Sequence, residues 1–219
     1  MVSETVESIV IPEIRVYDAR REEDVVLRDV AVDMNHACDS EGRVMYFNLD
    51  GTKSYLDKRG KFLASLPLLV NLYIALDGLA ERDEAAAQVL HQFNTAWDRT
   101  GTSISPAGKI VHSDVILGET VYEGLRVPQE GKSITDLFDK NDHFFKALLG
   151  VRDIDRLVDV ATKHKLTPFY WYPRGERLVM FGGGNFYYMH HHIPGLLMVF
   201  GDDEPHPQRV VRGVWSGRQ

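Results

Sequence analysis

The residues best equipped for chemistry lie near the C-terminus, in Tyr188-Met189-His190-His191-His192. Side chains alternate across a strand, so His190 and His192 would share a face with Phe186 and Tyr188. Two imidazoles two residues apart on one strand can chelate a divalent metal, which is the cofactor this pattern implies. A third ligand must come from elsewhere, and His112, Asp114, Glu119 and His206 are of suitable type. The plainer account is a polar hairpin end beside Pro194-Gly195, where histidine near solvent costs little.

Gly184, His190 and His192, with Gly201 in the closing position, resemble the first motif of the cupin family, Gly, five residues, His, any residue, His. The resemblance implies an all-β barrel. This chain departs from the pattern where the motif's glutamate should follow, since Pro194, Gly195 and Leu196 stand there. No second motif follows, and a helical region at 62–97 is foreign to such a barrel.

Other groups can be read in two ways. His36 and Cys38 share a face on an extended strand, which can depress a thiol pKa, yet a single cysteine is most often a small buried apolar residue. His112 and Asp114, with Glu119 and Glu123 on a following strand, are acid–base equipment and also what the solvent face of a hairpin looks like. Gly182-Gly183-Gly184 leads into a strand, so a hairpin turn fits it better than a phosphate loop. The segment 97–103, Trp-Asp-Arg-Thr-Gly-Thr-Ser, reads as a helix end at Gly101 followed by a hydroxyl-rich loop. Tyr170, Tyr172 and Tyr188 belong to an aromatic concentration that would place rings on both faces of a sheet. One face then needs cover from the rest of the chain, from a ligand or from a second copy.

The elements that must position these residues change period along the chain. Val- and Ile-rich runs at 9–17 and 25–34 read as strands, the first carrying Pro12 and so suited to an edge. A third strand is expected at 42–49, ending in an Asp50-Gly51 turn. Helices follow at 67–76 and 83–97, then a hairpin over 109–127. A linker-like stretch at 128–132 precedes a helix opened by Ser133 and Asp136, interrupted near Asn141-Asp142 and closed by Gly150. A further helix at 153–165 leads into hairpins over 169–200, and 210–215 can add one more strand. Strands, helices and strands in succession predict an α+β fold. It would have antiparallel sheet, a central helical pair and a C-terminal unit of two helices and a β-meander. The expected unit is the whole chain, 1–219, with any internal boundary near 128–132.

Composition bounds the function classes. The net charge of −7 comes without a dense basic block, since Arg20-Arg21 is followed at once by Glu22-Glu23-Asp24, and nucleic-acid binding is disfavoured. The apolar stretch 62–79 is interrupted by Ser65, Pro67, Asn71 and Asp77, which suits a buried helix better than a membrane span. The lone Cys38 and the acidic start Met1-Val2-Ser3-Glu4 lead to the expectation of a cytoplasmic, disulfide-free protein. The reading favoured by the sequence is a self-associating ligand- or partner-binding protein. A metal-dependent enzyme built on His190 and His192 is the alternative.

Overall fold

Alternating apolar residues form the first strands, β1 (Ser8–Asp18) and β2 (Glu23–Asp33), which pair antiparallel from Ser8↔Asp33 to Asp18↔Glu23. The computed structural model describes residues 8–171, 177–188, 191–199, 209–210 and 212–216. β1 is an edge strand, where Pro12 removes no ladder hydrogen bond on its open side. The chain continues through α1 (Leu49–Asp57), α2 (Leu66–Ala80), α3 (Glu84–Phe93), β3 (Trp97–Ile104), β4 (Ile110–His112) and β5 (Thr120–Tyr122). Then come β6 (Lys132–Ser133), α4 (Ile134–Leu149), α5 (Asp155–Lys163), β7 (Phe169–Tyr170), β8 (Arg177–Tyr188), β9 (His191–Val199), β10 (Arg209–Val210) and β11 (Val214–Ser216). The fold is α+β with antiparallel sheets, as the change of period predicts, apart from the short parallel pairing of β10 with β3. One sheet has the order β1-β2-β11, and the larger one runs β5-β4-β3-β8-β9. This mixed architecture departs from the all-β barrel that the cupin-like motif implies.

The axis of the core is α2. Leu66, Leu68, Val70, Leu72, Tyr73 and Leu76 are fully buried, although they point in different directions around the helix. Burying one such leucine contributes about 1.5–3 kcal/mol. The helix touches β1, β3 and β8 of the two larger sheets, as well as α3, α4 and α5. Its one acidic residue, Asp77, is drawn to α5, accepting from His164 Nε2 at 2.9 Å and meeting Lys163 Nζ at 3.0 Å. Partial burial opposes ionisation of Asp77, but these two donors hold its carboxyl below the usual range. Among the described residues no helix is long and apolar enough to cross a membrane.

Four expectations are corrected by the structure. The strand at 42–49 reduces to a single bridge, Cys38↔Val44, and Asp50-Gly51 lies in the first turn of α1. Asn48 decides this, because its Oδ1 accepts from Gly51 N at 2.8 Å and starts a helix where a turn seemed encoded. Residues 97–103 are strand β3, not helix end and loop, since α3 stops at Asn94 and Thr95 bends its hydroxyl back to the His91 carbonyl at 3.0 Å. Phe169-Tyr170 pairs with β6 rather than β8. The glycine run and Pro194-Gly195 are not turns. They face each other inside the long β8–β9 ladder, where Gly184 pairs with Gly195 and Asn185 with Pro194.

The glycines answer a constraint from elsewhere in the chain. The segment joining α3 to β3 crosses directly over β8, so a Cβ on Gly182 would lie 2.0 Å from the Ala96 oxygen and one on Gly183 2.2 Å from the Asn94 oxygen. Gly182 also has φ +144°, which L-residues rarely adopt. Gly182→Ala should therefore lower stability by roughly 3 kcal/mol or more. Gly78→Ala, on an open face of α2, should raise it by about 0.5–1 kcal/mol. Urea midpoints of the two variants check the pair, and equal midpoints would contradict the crossing.

Candidate functional site

A distortion in β3 creates the clearest opening. Arg99 pairs with Met180 and Ser103 with Leu178, so Thr100, Gly101 and Thr102 bulge opposite Val179 alone. The bulge is fully used on its inner side. Thr100 Oγ1 donates to the Val179 carbonyl at 2.7 Å, Gly101 N donates to Ala64 O at 2.8 Å, and Thr102 Oγ1 accepts from Leu66 N at 2.9 Å. Ser113 N donates to Gly101 O at 2.7 Å, and a Cβ at Gly101 would stand 2.2 Å from the Ser113 oxygen, so glycine alone permits this approach.

Beside the bulge opens a cleft of about 360 Å³, bounded by α1, β4 and the start of β8. That volume falls within the range of small-molecule sites, roughly 300–1,000 Å³. Its lining carries two cations, Lys53 and Arg177, and the half-buried hydroxyls of Ser103 and Ser113, and among the described residues it contains no carboxylate. In a chain of net charge −7, a lining whose described residues hold two cations and no acid is a local inversion of sign. A comparable hollow of about 390 Å³ between β1 and α2 offers less. Its Arg15 and Glu13 are joined at 2.8 Å, and its Asn71 amide donates to the Pro67 and Gly150 carbonyls.

The described histidines and tyrosines among those singled out by sequence fall in separate places. His190 and Tyr172 lie outside the described residues, as does His206. His192 and Tyr188 are described as backbone positions at the paired ends of β9 and β8, with His192 opposite Tyr187 and Tyr188 opposite His191. Tyr170 is fully buried, with its ring edge-on to Phe144 and Phe145 at 5.6 and 5.5 Å, so its ring is part of the core. Among the described residues no three or more His, Cys, Asp or Glu side chains are grouped to hold a metal ion.

His112 is buried within the protein's own hydrogen bonds. Its Nε2 lies 2.9 Å from the Ala147 carbonyl, which can only accept, so the ring proton is on Nε2. Nδ1 then accepts from the Thr102 hydroxyl at 2.8 Å. Burial pushes the imidazole pKa down to about 4. Asp114, also buried, accepts from the backbone N–H groups of Ser65, Ile116 and Leu117, while Glu119 and Glu123 are exposed.

His36 and Cys38 do not act together. The thiol donates to the His36 carbonyl at 3.2 Å, and burial, with the nearby Asp39 charge, raises its pKa, so the thiol is not activated. The His36 ring instead accepts from Arg212 Nη2 at 2.8 Å through Nε2. Arg212 is a residue that sequence reading missed. It is 2% exposed, and it donates to the Asp33 carbonyl at 2.6 Å and to Gln92 Oε1 at 2.8 Å. Asp98, 1% exposed, lies 3.7 Å from its Nε, and the guanidinium sits 4.9 Å over the Phe93 ring. This cluster is closed to solvent and clamps β2, α3 and β3 together.

No family model, curated protein or solved structure matches this chain. The site is therefore argued from its geometry. Lys53 and Arg177 carry no signal in the sequence, because nothing local distinguishes them from surface charges. The Thr-Gly-Thr-Ser run was visible, but its burial in a bulged strand depends on partners far along the chain.

The depressed pKa of His112 has a consequence for stability. The unfolded chain takes up a proton near pH 6.5 and the folded chain only near 4, so between these values the unfolded state binds more protons. The contribution of neutral His112 is complete above that window and is lost as pH falls through it, by about 3 kcal/mol in all. Carboxylates such as Asp77, held below their usual range, act only at lower pH. Urea unfolding at about pH 7 and about pH 4.5 should show a larger loss for the wild type than for His112→Gln. Equal losses would place the acid sensitivity elsewhere.

Proposed function

We propose that this chain is a cytoplasmic ligand-binding protein whose site is the cleft beside the β3 bulge, and that its ligand carries a phosphate or carboxylate group. The observation that carries this reading is the lining itself: two cations and two unengaged hydroxyls, with no acid among the described residues, in a net-acidic chain. Among the described residues neither Ser103 nor Ser113 uses its hydroxyl in a hydrogen bond, and Lys53 forms no ion pair. An oxyanion is an acceptor for each of these donor types.

The test uses inorganic phosphate and pyrophosphate as probes in calorimetric titration. Saturable binding that weakens with added salt is expected, and Lys53→Glu should reduce affinity about tenfold. Absence of binding at about 10 mM probe, or an unchanged affinity in Lys53→Glu, would remove the proposal. The metal-dependent reading keeps its support in the spacing of His190 and His192. Elemental analysis of untagged protein tests it, with near-stoichiometric metal as the outcome it requires.

A further inference from the structure

The floor of the bulge cleft extends across the sheet as a row of side chains. Leu178 of β8 pairs with Ser103 of β3, Ser103 with Val111 of β4, and Val111 with Val121 of β5. Directly opposed residues on neighbouring strands point to the same face, so these four form one row. Their strand neighbours Thr102, Ile104, Ile110, His112 and Tyr122 are buried, which places the core on the other side and the row on the outer face. Leu178 and Val111 line the cleft, and beyond them Val121 is 38% exposed on β5, the edge strand of this sheet. Adjacent strands lie about 4.8 Å apart, so the row runs about 10 Å from Ser103 to Val121.

Charge is distributed unequally along this row. Lys53 and Arg177 lie at the cleft end. At the β5 end Glu119 and Glu123 flank Val121 in the sequence and are exposed, and Lys109 meets Glu123 at 3.8 Å. An anionic head is therefore attracted at one end and repelled at the other. Between the two ends, the side chains of Val111 and Val121 offer apolar surface that a ligand can remove from water.

We infer that the ligand of the bulge cleft is a free anionic amphiphile, with its phosphate or carboxylate head at Lys53 and Ser103 and a linear alkyl chain over Val111 and Val121. The inference rests on the oxyanion reading of the cleft and adds the class of ligand. A compact anion would leave the valines uncovered. A molecule with acids at both ends would meet Glu119 and Glu123.

The experiment titrates methyl phosphate, octyl phosphate below its micelle concentration and octyl glucoside into the full chain, followed by calorimetry and amide chemical shifts. Octyl phosphate should bind at least about tenfold more tightly than methyl phosphate, and more tightly than octyl glucoside. It should move the amides of Val111 and Val121, which methyl phosphate should leave in place. Val121→Thr keeps the branched shape that suits a strand, so the variant should fold. It should weaken octyl phosphate about threefold and leave methyl phosphate unchanged. Equal affinities for the two phosphates would overturn the amphiphile and leave the oxyanion reading standing, whereas binding of neither removes both. Unmoved amides at Val111 and Val121, or octyl glucoside binding as tightly as octyl phosphate, would also overturn it. Uptake on phosphatidic acid vesicles without binding of monomeric octyl phosphate would assign the face to a membrane surface instead.

Discussion

A helix whose N-terminal end is buried cannot leave its first N–H groups to water, and α2 begins among fully buried residues, with Ser65, Leu66 and Leu68 at 0% exposure. Its first donors must find acceptors inside the protein. Ser65 N reaches Asp114, and Leu66 N reaches the Thr102 hydroxyl. Thr102 can meet the helix end because β3 bulges toward it, and Gly101 in the same bulge binds the Ala64 carbonyl just upstream. His112 completes the arrangement by accepting from Thr102 and donating to Ala147 of α4. The proposed cleft lies beside this device, at the bulge that brings Thr102 to the helix.

The parts of the fold that follow from local chemistry are the parts that sequence reading anticipates. The interrupted apolar stretch at 62–79 covers all but the last residue of α2, Asn141 breaks α4 with φ −140°, and Gly150 closes that helix with φ +62°. Each is set by residues within a turn or two of itself. The failures have the opposite character. Gly182 and Gly183 suggest a turn because glycine usually marks one, but here they answer a backbone crossing from 94–96 that no local pattern announces. Trp97 stands four residues after Phe93, which imitates helical periodicity, while the helix is ended by Asn94 and Thr95.

The same division holds for the candidate site. Residue types were legible: His112, Asp114 and the hydroxyl run at 100–103 all stand out in the sequence. Their environments were not, since burial and hydrogen-bond partners decide whether an imidazole is a ligand or a structural link. His112 has two protein partners and a pKa near 4, so it is read as structural only once Ala147 and Thr102 are in view. For Lys53 and Arg177 the sequence carried neither clue, because the meaning of a surface cation lies in which other charges fold beside it.

The cluster at Arg212 shows how a buried charge can be structural without being a site. Burial lowers the pKa of this guanidinium, against the raising influence of Asp98 and Asp33, yet an arginine remains charged in either case. Its donors are directed one by one to Asp33, Gln92 and His36, residues of β2, α3 and the segment after β2. A guanidinium has a fixed fork of donors, so these acceptors are met together in one placement of the 209–216 segment. The lateral pairings agree, with β10 beside β3 and β11 beside β2. An apolar side chain of similar volume could stabilise the same interior as well or better, because two ions must be desolvated to form the pair with Asp98. What it could not supply is direction. Four hydrogen-bonding or charged partners from separate elements discriminate against any shifted register of the C-terminal strands, whereas apolar packing tolerates a slip more readily. In this chain the buried cation therefore favours one placement of the C-terminal strands, through the partners that Asp33, His36, Gln92 and Asp98 provide.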